Sequence, residues 1–212
     1  MSNKPLTPKL AFLAVGIVAA SLGALLAQNI LQNRSTTPTL LAGTLLQPPK
    51  SIPDFALLDH ANASFTAASL RDHWTLMFFG FTNCGDVCPT TLTVLATAFK
   101  TLKELPATQR PQVVFVSVDA KRDTPEVLSA YIKHFDPAFV GVTGTQPNLD
   151  AFTKSLGVPS AIRTFENGSY AVDHYAGVLA FNPQGELRAL FSAPLTAEGL
   201  ANDYRSLVGA QR

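Results

Sequence analysis

A chain of 212 residues, 47% hydrophobic and 15% charged, has ample material for a packed core and lacks the charge density of a disordered chain. Its 16 Lys and Arg balance 15 Asp and Glu to a formal net charge of +1, with no cluster of basic residues to serve as a nucleic-acid-binding surface, so no nucleic-acid partner is expected. The two cysteines, Cys84 and Cys88, exclude a disulfide-stapled scaffold and put both sulfurs in one local site.

Residues 10–31, LAFLAVGIVAASLGALLAQNIL, form an uncharged run of 22. As a helix rising about 1.5 Å per residue, such a run crosses the roughly 30 Å hydrocarbon core of a bilayer. Lys4 and Lys9 precede it and Arg34 follows, so the positive-inside rule puts residues 1–9 in the cytoplasm as a short tail and exports everything beyond the span. The competing reading is a cleaved signal peptide. The run exceeds the usual apolar length of such peptides, and Leu25-Leu26-Ala27 offers a bulky residue where a small one is needed for cleavage. The expectation is therefore an uncleaved, single-pass transmembrane helix. Past Arg34 the chain carries 13 Lys and Arg against 15 Asp and Glu, a net of −2.

Residues 32–50 contain Pro38, Pro48 and Pro49 among Ser and Thr, a composition that favours an extended flexible tether. The folded domain is expected over residues 51–212. Residues 75–81, TLMFFGF, and 113–119, VVFVSVD, are short continuous apolar runs, the pattern of strands buried on both faces. Between them, Leu92, Leu95, Ala96, Phe99 and Leu102 recur at helical spacing over 89–105, and Pro106 ends the pattern, which predicts a β-α-β crossover with parallel strands. A second helix is expected over 124–135, with Asp123 or Thr124 as cap and Pro125 in the first turn. Residues 141–144 read as a turn-rich segment, 148–156 as a weaker helix, and Glu166-Asn167-Gly168-Ser169 as a tight turn. Residues 176–181 and 186–191, separated by Asn182-Pro183-Gln184-Gly185, predict an antiparallel hairpin, and 196–208 a closing helix. This order is an α/β arrangement suited to a thioredoxin-like fold, with a central mixed sheet flanked by helices behind one N-terminal transmembrane helix.

Cys84-Gly85-Asp86-Val87-Cys88-Pro89 lies between the end of a buried strand and the first turn of a helix, where α/β sheets expose their functional loops. Pro89 suits the first turn, so Cys88 falls at the helix N-terminus, where free backbone N–H groups are expected to favour its thiolate. Three residues between the sulfurs, instead of the two of a redox Cys-X-X-Cys motif, give room around a soft metal ion. The spacing also fits a plain redox dithiol of Cys84 and Cys88, and both readings stand. Of His60, His73, His134 and His174, only His174 immediately precedes a predicted central strand, at the place where thioredoxins carry a cis-proline beside their cysteines. A hydrogen-bonded turn residue is the commoner fate of a lone histidine, but this placement favours a ligand. Two thiolates and one imidazole suit copper, whereas a closed zinc site would want a fourth ligand. Asp86, Asp119, Asp123 and Asp173 are candidates for supporting groups around the site, each equally readable as a cap or turn residue. Trp74, Met77, Phe78 and Phe79 read as core rather than as a partner surface.

With Phe79-Gly80-Phe81-Thr82 leading into Cys84, then Cys88-Pro89-Thr90-Thr91-Leu92, Val116-Ser117-Val118-Asp119, Arg122-Asp123-Thr124-Pro125-Glu126, Gly141-Val142-Thr143-Gly144 and Val172-Asp173-His174, the chain resembles the Sco family, also called SenC or PrrC, over about residues 51–191. These are thioredoxin-like copper proteins that serve cytochrome c oxidase assembly. The resemblance implies that Cys84, Cys88 and His174 are copper ligands, as Cu(I) or Cu(II), and that a metallochaperone delivers the ion to the binuclear copper centre of cytochrome c oxidase subunit II. The topology read from the apolar run and its flanking charges puts the chain in the bacterial inner membrane with the C-terminal domain in the periplasm, and a periplasmic copper donor or thiol reductant is expected as further partner. The alternative is a periplasmic thiol-disulfide reductase that prepares the acceptor cysteines, with Cys84 and Cys88 as its redox pair. A peroxidase is weaker still, since nothing marks a peroxide pocket around a single cysteine. Two departures stand out: Asn83-Cys84-Gly85 where the family often has His-Cys-Pro, and Asp119-Ala120 where it often has Asp-Pro.

Overall fold

The computed structural model describes residues 16–25, 38–158 and 160–210. The chain divides into two units, Met1–Thr37 with Ala210–Arg212, and Pro38–Gly209. In the first, α1 is helical over residues 16–25, inside the expected span of 10–31, whose remaining residues lie outside the described ones. Among the described residues, no helix is long and apolar enough to cross a membrane.

The second unit is built on an eight-stranded mixed sheet. Its strands are β1 (Gly43–Lys50), β2 (Ala56–Asp59), β3 (Ser64–Thr66), β4 (Thr75–Gly80), β5 (Gln112–Ser117), β6 (Val140–Thr143), β9 (Val178–Phe181) and β10 (Leu187–Phe191), in the spatial order β1-β10-β9-β4-β5-β6-β2-β3. A separate two-stranded sheet joins β7 (Ala161–Thr164) to β8 (Tyr170–Asp173). Central β4 is buried at all six positions, and its alternating side chains feed two cores. Leu76 and Phe78 face one cluster, Met77 and Phe79 the other, as the two-residue period of a strand requires.

The predicted crossover is present. β4 and β5 pair in parallel, Phe78 opposite Phe115 and Gly80 opposite Ser117, and α2 (Val87–Leu102) connects them. Helices α3 (Pro125–Lys133) and α5 (Ala197–Gly209) share the first core with α2 through Leu92, Leu95, Leu128, Ile132, Leu200 and Tyr204. On the other face, α4 (Gln146–Leu156) packs Leu149, Phe152 and Leu156. The caps explain the boundaries: Thr124 accepts from the Val127 N–H at the start of α3, Thr145 accepts from the Asn148 N–H at the start of α4, and left-handed Gly157 ends α4.

Two expectations need correction. Residues 43–50, assigned to the tether despite Pro48 and Pro49, form edge strand β1, paired antiparallel to β10 with Gly43 opposite Phe191. The approach to this strand is fixed by Asp203 of α5, only 2% exposed, which accepts the backbone N–H groups of Leu41, Ala42 and Gly43 at 2.8, 2.7 and 2.8 Å. Residues 141–143 of the expected turn segment are strand, the last three of β6. Gly141 lies in β6, where the absence of a side chain admits Leu128 and Ile132, whose atoms would stand 3.1 and 3.2 Å from a Cβ. The short strands β2 and β3 fall in a stretch to which the sequence assigned no element. The tight turn at 166–169 closes the β7–β8 hairpin, with Gly168 at φ +79°.

Candidate metal centre

Strand register brings the expected residues together. The parallel β4–β5 pairing ends at Gly80, and the chain then turns through 81–86 into α2, placing Cys84 in the turn and Cys88 in the first helical turn. From the other side, β9 runs antiparallel to β4 with Val178 opposite Phe78. The segment between β8 and β9 therefore delivers His174 to the end of β4. The Sγ atoms of Cys84 and Cys88 and a ring nitrogen of His174 all lie within 4.8 Å of one another. Both cysteines are free thiols, Cys84 half-buried and Cys88 buried, and His174 is half-buried.

Hydrogen bonding fixes the histidine tautomer. His174 Nδ1 lies 3.1 Å from the Tyr175 carbonyl oxygen, which only accepts, so Nδ1 carries the proton. Nε2, 3.4 Å from Cys88 Sγ, is left with its lone pair turned toward the sulfurs, the arrangement of a ligating imidazole. The rings of Phe78 and Phe81 meet the imidazole edge-on, at centroid distances of 6.0 and 5.7 Å, and set its plane. The Cys84 N–H donates to the Phe81 carbonyl at 3.2 Å, tightening the cysteine turn. Gly80 is required for the close approach, since a Cβ there would stand 2.7 Å from Cys88 Sγ and 2.8 Å from Cε2 of Phe115.

The expected ready ionisation of Cys88 is reversed. Burial, then the hydrogen bond with Cys84, push its thiol well above the usual range. A helix N-terminus favours a thiolate, but desolvation at a sulfur with no exposed surface outweighs it. Without a cation in the site Cys88 is a neutral thiol.

The remaining candidates separate clearly. His60 accepts from the Gly141 N–H at 3.1 Å, His73 bonds Gln112 at 3.0 Å, and His134 rests against Phe135, 5.6 Å between centroids; all three serve local structure. Asp86 precedes α2 and accepts from Thr90 at 3.3 Å, and Asp173 pairs with Arg163 at 2.8 Å. Asp119 and Asp123, by contrast, are buried at 0% and 1% exposure. Asp123 accepts from the backbone and hydroxyl of Thr82 at 2.9 and 2.6 Å and from the Ser117 hydroxyl at 2.6 Å. Asp119 pairs with Arg122 and accepts from the Tyr170 hydroxyl at 3.0 Å. Sequence reasoning missed Thr82, Ser117, Arg122 and Tyr170 as supports; the first three fell within quoted motifs, and Tyr170 lay outside all of them. Trp74, Met77, Phe78 and Phe79 are core.

Two sulfurs and one imidazole, joined among the described residues by no fourth His, Cys, Asp or Glu, fall short of a closed zinc tetrahedron and suit a soft ion of low coordination number.

Known proteins carry the same fold and sequence pattern. The SCO1/SenC family profile matches residues 44–209. A Stutzerimonas stutzeri protein is 37% identical over 174 residues, 81% of this chain and 84% of that one. The mitochondrial SCO2 homolog of Homo sapiens is 33% identical over 160 residues, 75% of this chain, and the match spans 60% of the human protein's length. Among solved structures, apo Sco1 from Thermus thermophilus superimposes with a TM-score of 0.69 at 36% identity, covering 81% of this chain and 99% of that one. Bradyrhizobium japonicum ScoI with copper bound gives a TM-score of 0.65 at 30% identity, covering 73% and 97%. With the profile spanning nearly the whole folded unit, this chain belongs to the SCO1/SenC family.

Proposed function

We propose that this protein is a copper-binding metallochaperone of cytochrome c oxidase assembly, with Cys84, Cys88 and His174 as its copper ligands. The observation that carries the reading is the convergence of two thiol sulfurs and one imidazole nitrogen within 4.8 Å, presented by a chain 30% identical to a ScoI solved with copper bound. Thiolate and imidazole are the soft and borderline donors that hold copper, and metallation expels the thiol protons. The cation thereby offsets the burial that keeps Cys88 protonated in its absence.

The finer reading places the client copper centre in oxidase subunit II, and the chain in the bacterial inner membrane. On this reading residues 1–9 are the cytoplasmic tail, 10–31 the anchor and 32–37 the tether, shortened because the folded unit begins at Pro38. The thioredoxin-like copper-binding domain follows in the periplasm.

The test is copper competition with the reduced full chain, purified in detergent. One copper per chain is expected, with His174→Ala weakening retention by at least about 10-fold while the dithiol still oxidises. Equal copper uptake by the disulfide form, or an affinity indifferent to His174, would overturn the three-ligand reading.

A second reading, a thiol-disulfide reductase, is favoured by one observation: the two free thiols are adjacent and Cys84 is part-exposed. Here the Cys84 thiolate attacks an acceptor disulfide, and Cys88 resolves the mixed disulfide. Two electrons and two protons pass to the acceptor, whose cysteines emerge as thiols while Cys84 and Cys88 form a disulfide. Acceptor reduction undiminished by His174→Ala would favour this role.

A further inference from the structure

The loop over residues 118–124, between β5 and α3, reaches both halves of the metal centre. Toward the cysteines, Asp123 holds the backbone and hydroxyl of Thr82, two residues before Cys84, at 2.9 and 2.6 Å. Toward the histidine, Asp119 accepts from the Tyr170 hydroxyl at 3.0 and 3.3 Å to its two oxygens, and Tyr170 lies in β8, four residues before His174. Ser117 joins the Asp123 carboxylate to the backbone of Asp119, its Oγ donating to Asp123 at 2.6 Å and accepting from the Asp119 N–H at 3.1 Å.

Arg122 completes the arrangement. It pairs with Asp119, lies 4.2 Å over the Tyr170 ring and 5.5 Å over the Phe81 ring, and Phe81 in turn meets the His174 imidazole.

The β7–β8 hairpin makes its own two-stranded sheet and takes no place in the order of the main one. Its attachment to the core therefore depends on side chains. Val172 and Tyr175 pack apolar surface against the second core, but apolar contact is tolerant of sliding. The directional bonds that fix where the hairpin sits come from Tyr170 to Asp119 and from Arg122 to the Tyr170 face. A carboxylate buried without exposure is costly unless partnered, and both partners of Asp119 at this point belong to the hairpin's attachment.

We infer that Asp119, Arg122 and Tyr170 are positioning residues that hold His174 against the two cysteines, while Asp123 holds the cysteine turn from the same loop. The copper arm of the test below rests on the proposed ligand role of His174; the exchange arm is independent of metal.

Tyr170→Phe keeps the ring under Arg122 and removes only the bond to Asp119. In the metal-free full chain, hydrogen exchange at amides of 161–174 is expected to quicken by at least about 5-fold, with β4, β5 and β9 unchanged. Copper affinity is expected to fall about 10-fold, a loss typical of groups that orient a ligand. The same change made in a His174→Ala background is expected to add no further loss, because Tyr170 acts through His174. Asp119→Asn is expected to move exchange and affinity in the same directions. Unchanged exchange in the hairpin, or losses from Tyr170→Phe and His174→Ala that simply add, would overturn the proposal. A wild-type chain that takes up no copper would sink the metal reading, and the exchange arm alone would then decide whether Tyr170 holds the hairpin.

Discussion

Gly80 stands directly against the Cys88 sulfur, so close that a Cβ at this position would lie 2.7 Å from Sγ. The neighbouring Phe115 ring, 2.8 Å from that Cβ, is itself buried and has nowhere to retreat. Gly80→Ala is expected to destabilise the fold by about 1–3 kcal/mol, the usual cost of overfilling a packed core. It should also push Cys88 out of register with His174 and reduce copper retention. Thermal unfolding and copper competition measure the two effects; full stability together with unchanged affinity would show that the sulfur has room.

Cys88 and Cys84 should differ sharply toward thiol reagents. In the reduced, metal-free chain, iodoacetamide is expected to label part-exposed Cys84 at least about 10-fold faster than buried Cys88, whose thiol is also held protonated. The same shift governs stability. Below about pH 8.5 the folded and unfolded states both keep the Cys88 proton, and nothing changes. Above it the unfolded state releases the proton while the folded state retains it, so stability falls by up to about 1.4 kcal/mol per pH unit. Cys88→Ser should flatten that decline between about pH 8.5 and 10. Equal labelling rates, or a decline that survives the substitution, would contradict the burial argument.

Asp203 carries a further prediction. It draws three consecutive backbone N–H groups, Leu41 to Gly43, onto one carboxylate. Asp203→Ala is expected to cost about 2–3 kcal/mol, since hydrogen bonds to a charged acceptor count for more than neutral ones. Exchange of β1 amides should rise with it. Protection of residues 43–50 undiminished by the substitution would mean that pairing with β10 alone holds the strand.

The proposed topology is tested by protease treatment of spheroplasts carrying the chain with a tag at either end. The C-terminal tag is expected to be cleaved and the N-terminal one protected, because the positive residues precede the apolar run. The reverse pattern would place the metal centre on the cytoplasmic side and remove the proposed client.

The sequence disclosed those parts of this molecule whose signal is local. β4 and β5 are legible because strands buried on both faces must be apolar at every position, and α3 because Thr124 and Pro125 announce its start. Cys84, Cys88 and His174 were readable as a set once a βαβ unit placed the cysteines at a strand end. What escaped depends on partners distant in the chain. β1, with its two adjacent prolines, has the composition of a tether, and its strand state rests on β10 and on Asp203, some 160 residues away. β6 looked like a turn because Gly141 serves packing against Leu128 and Ile132 rather than a bend. Tyr170 and Asp119 are 51 residues apart, and nothing in either neighbourhood announces the other. The protonation of Cys88 was misjudged because helix position is visible in a sequence whereas the depth of a sulfur is not.

The unequal burial of the ligands gives the proposed exchange of copper a direction. Cys84 and His174 are part-exposed, whereas Cys88 is sealed beneath Gly80 and Phe115. In that exchange an acceptor thiolate would enter from the Cys84 and His174 side and displace those donors first, leaving the Cys88 sulfur as the final bond to part. The ion would then stay tethered to one inaccessible atom until the acceptor had built enough of its own coordination to pull it free. Such an order of departure would keep the ion bound to protein at every stage of its transfer.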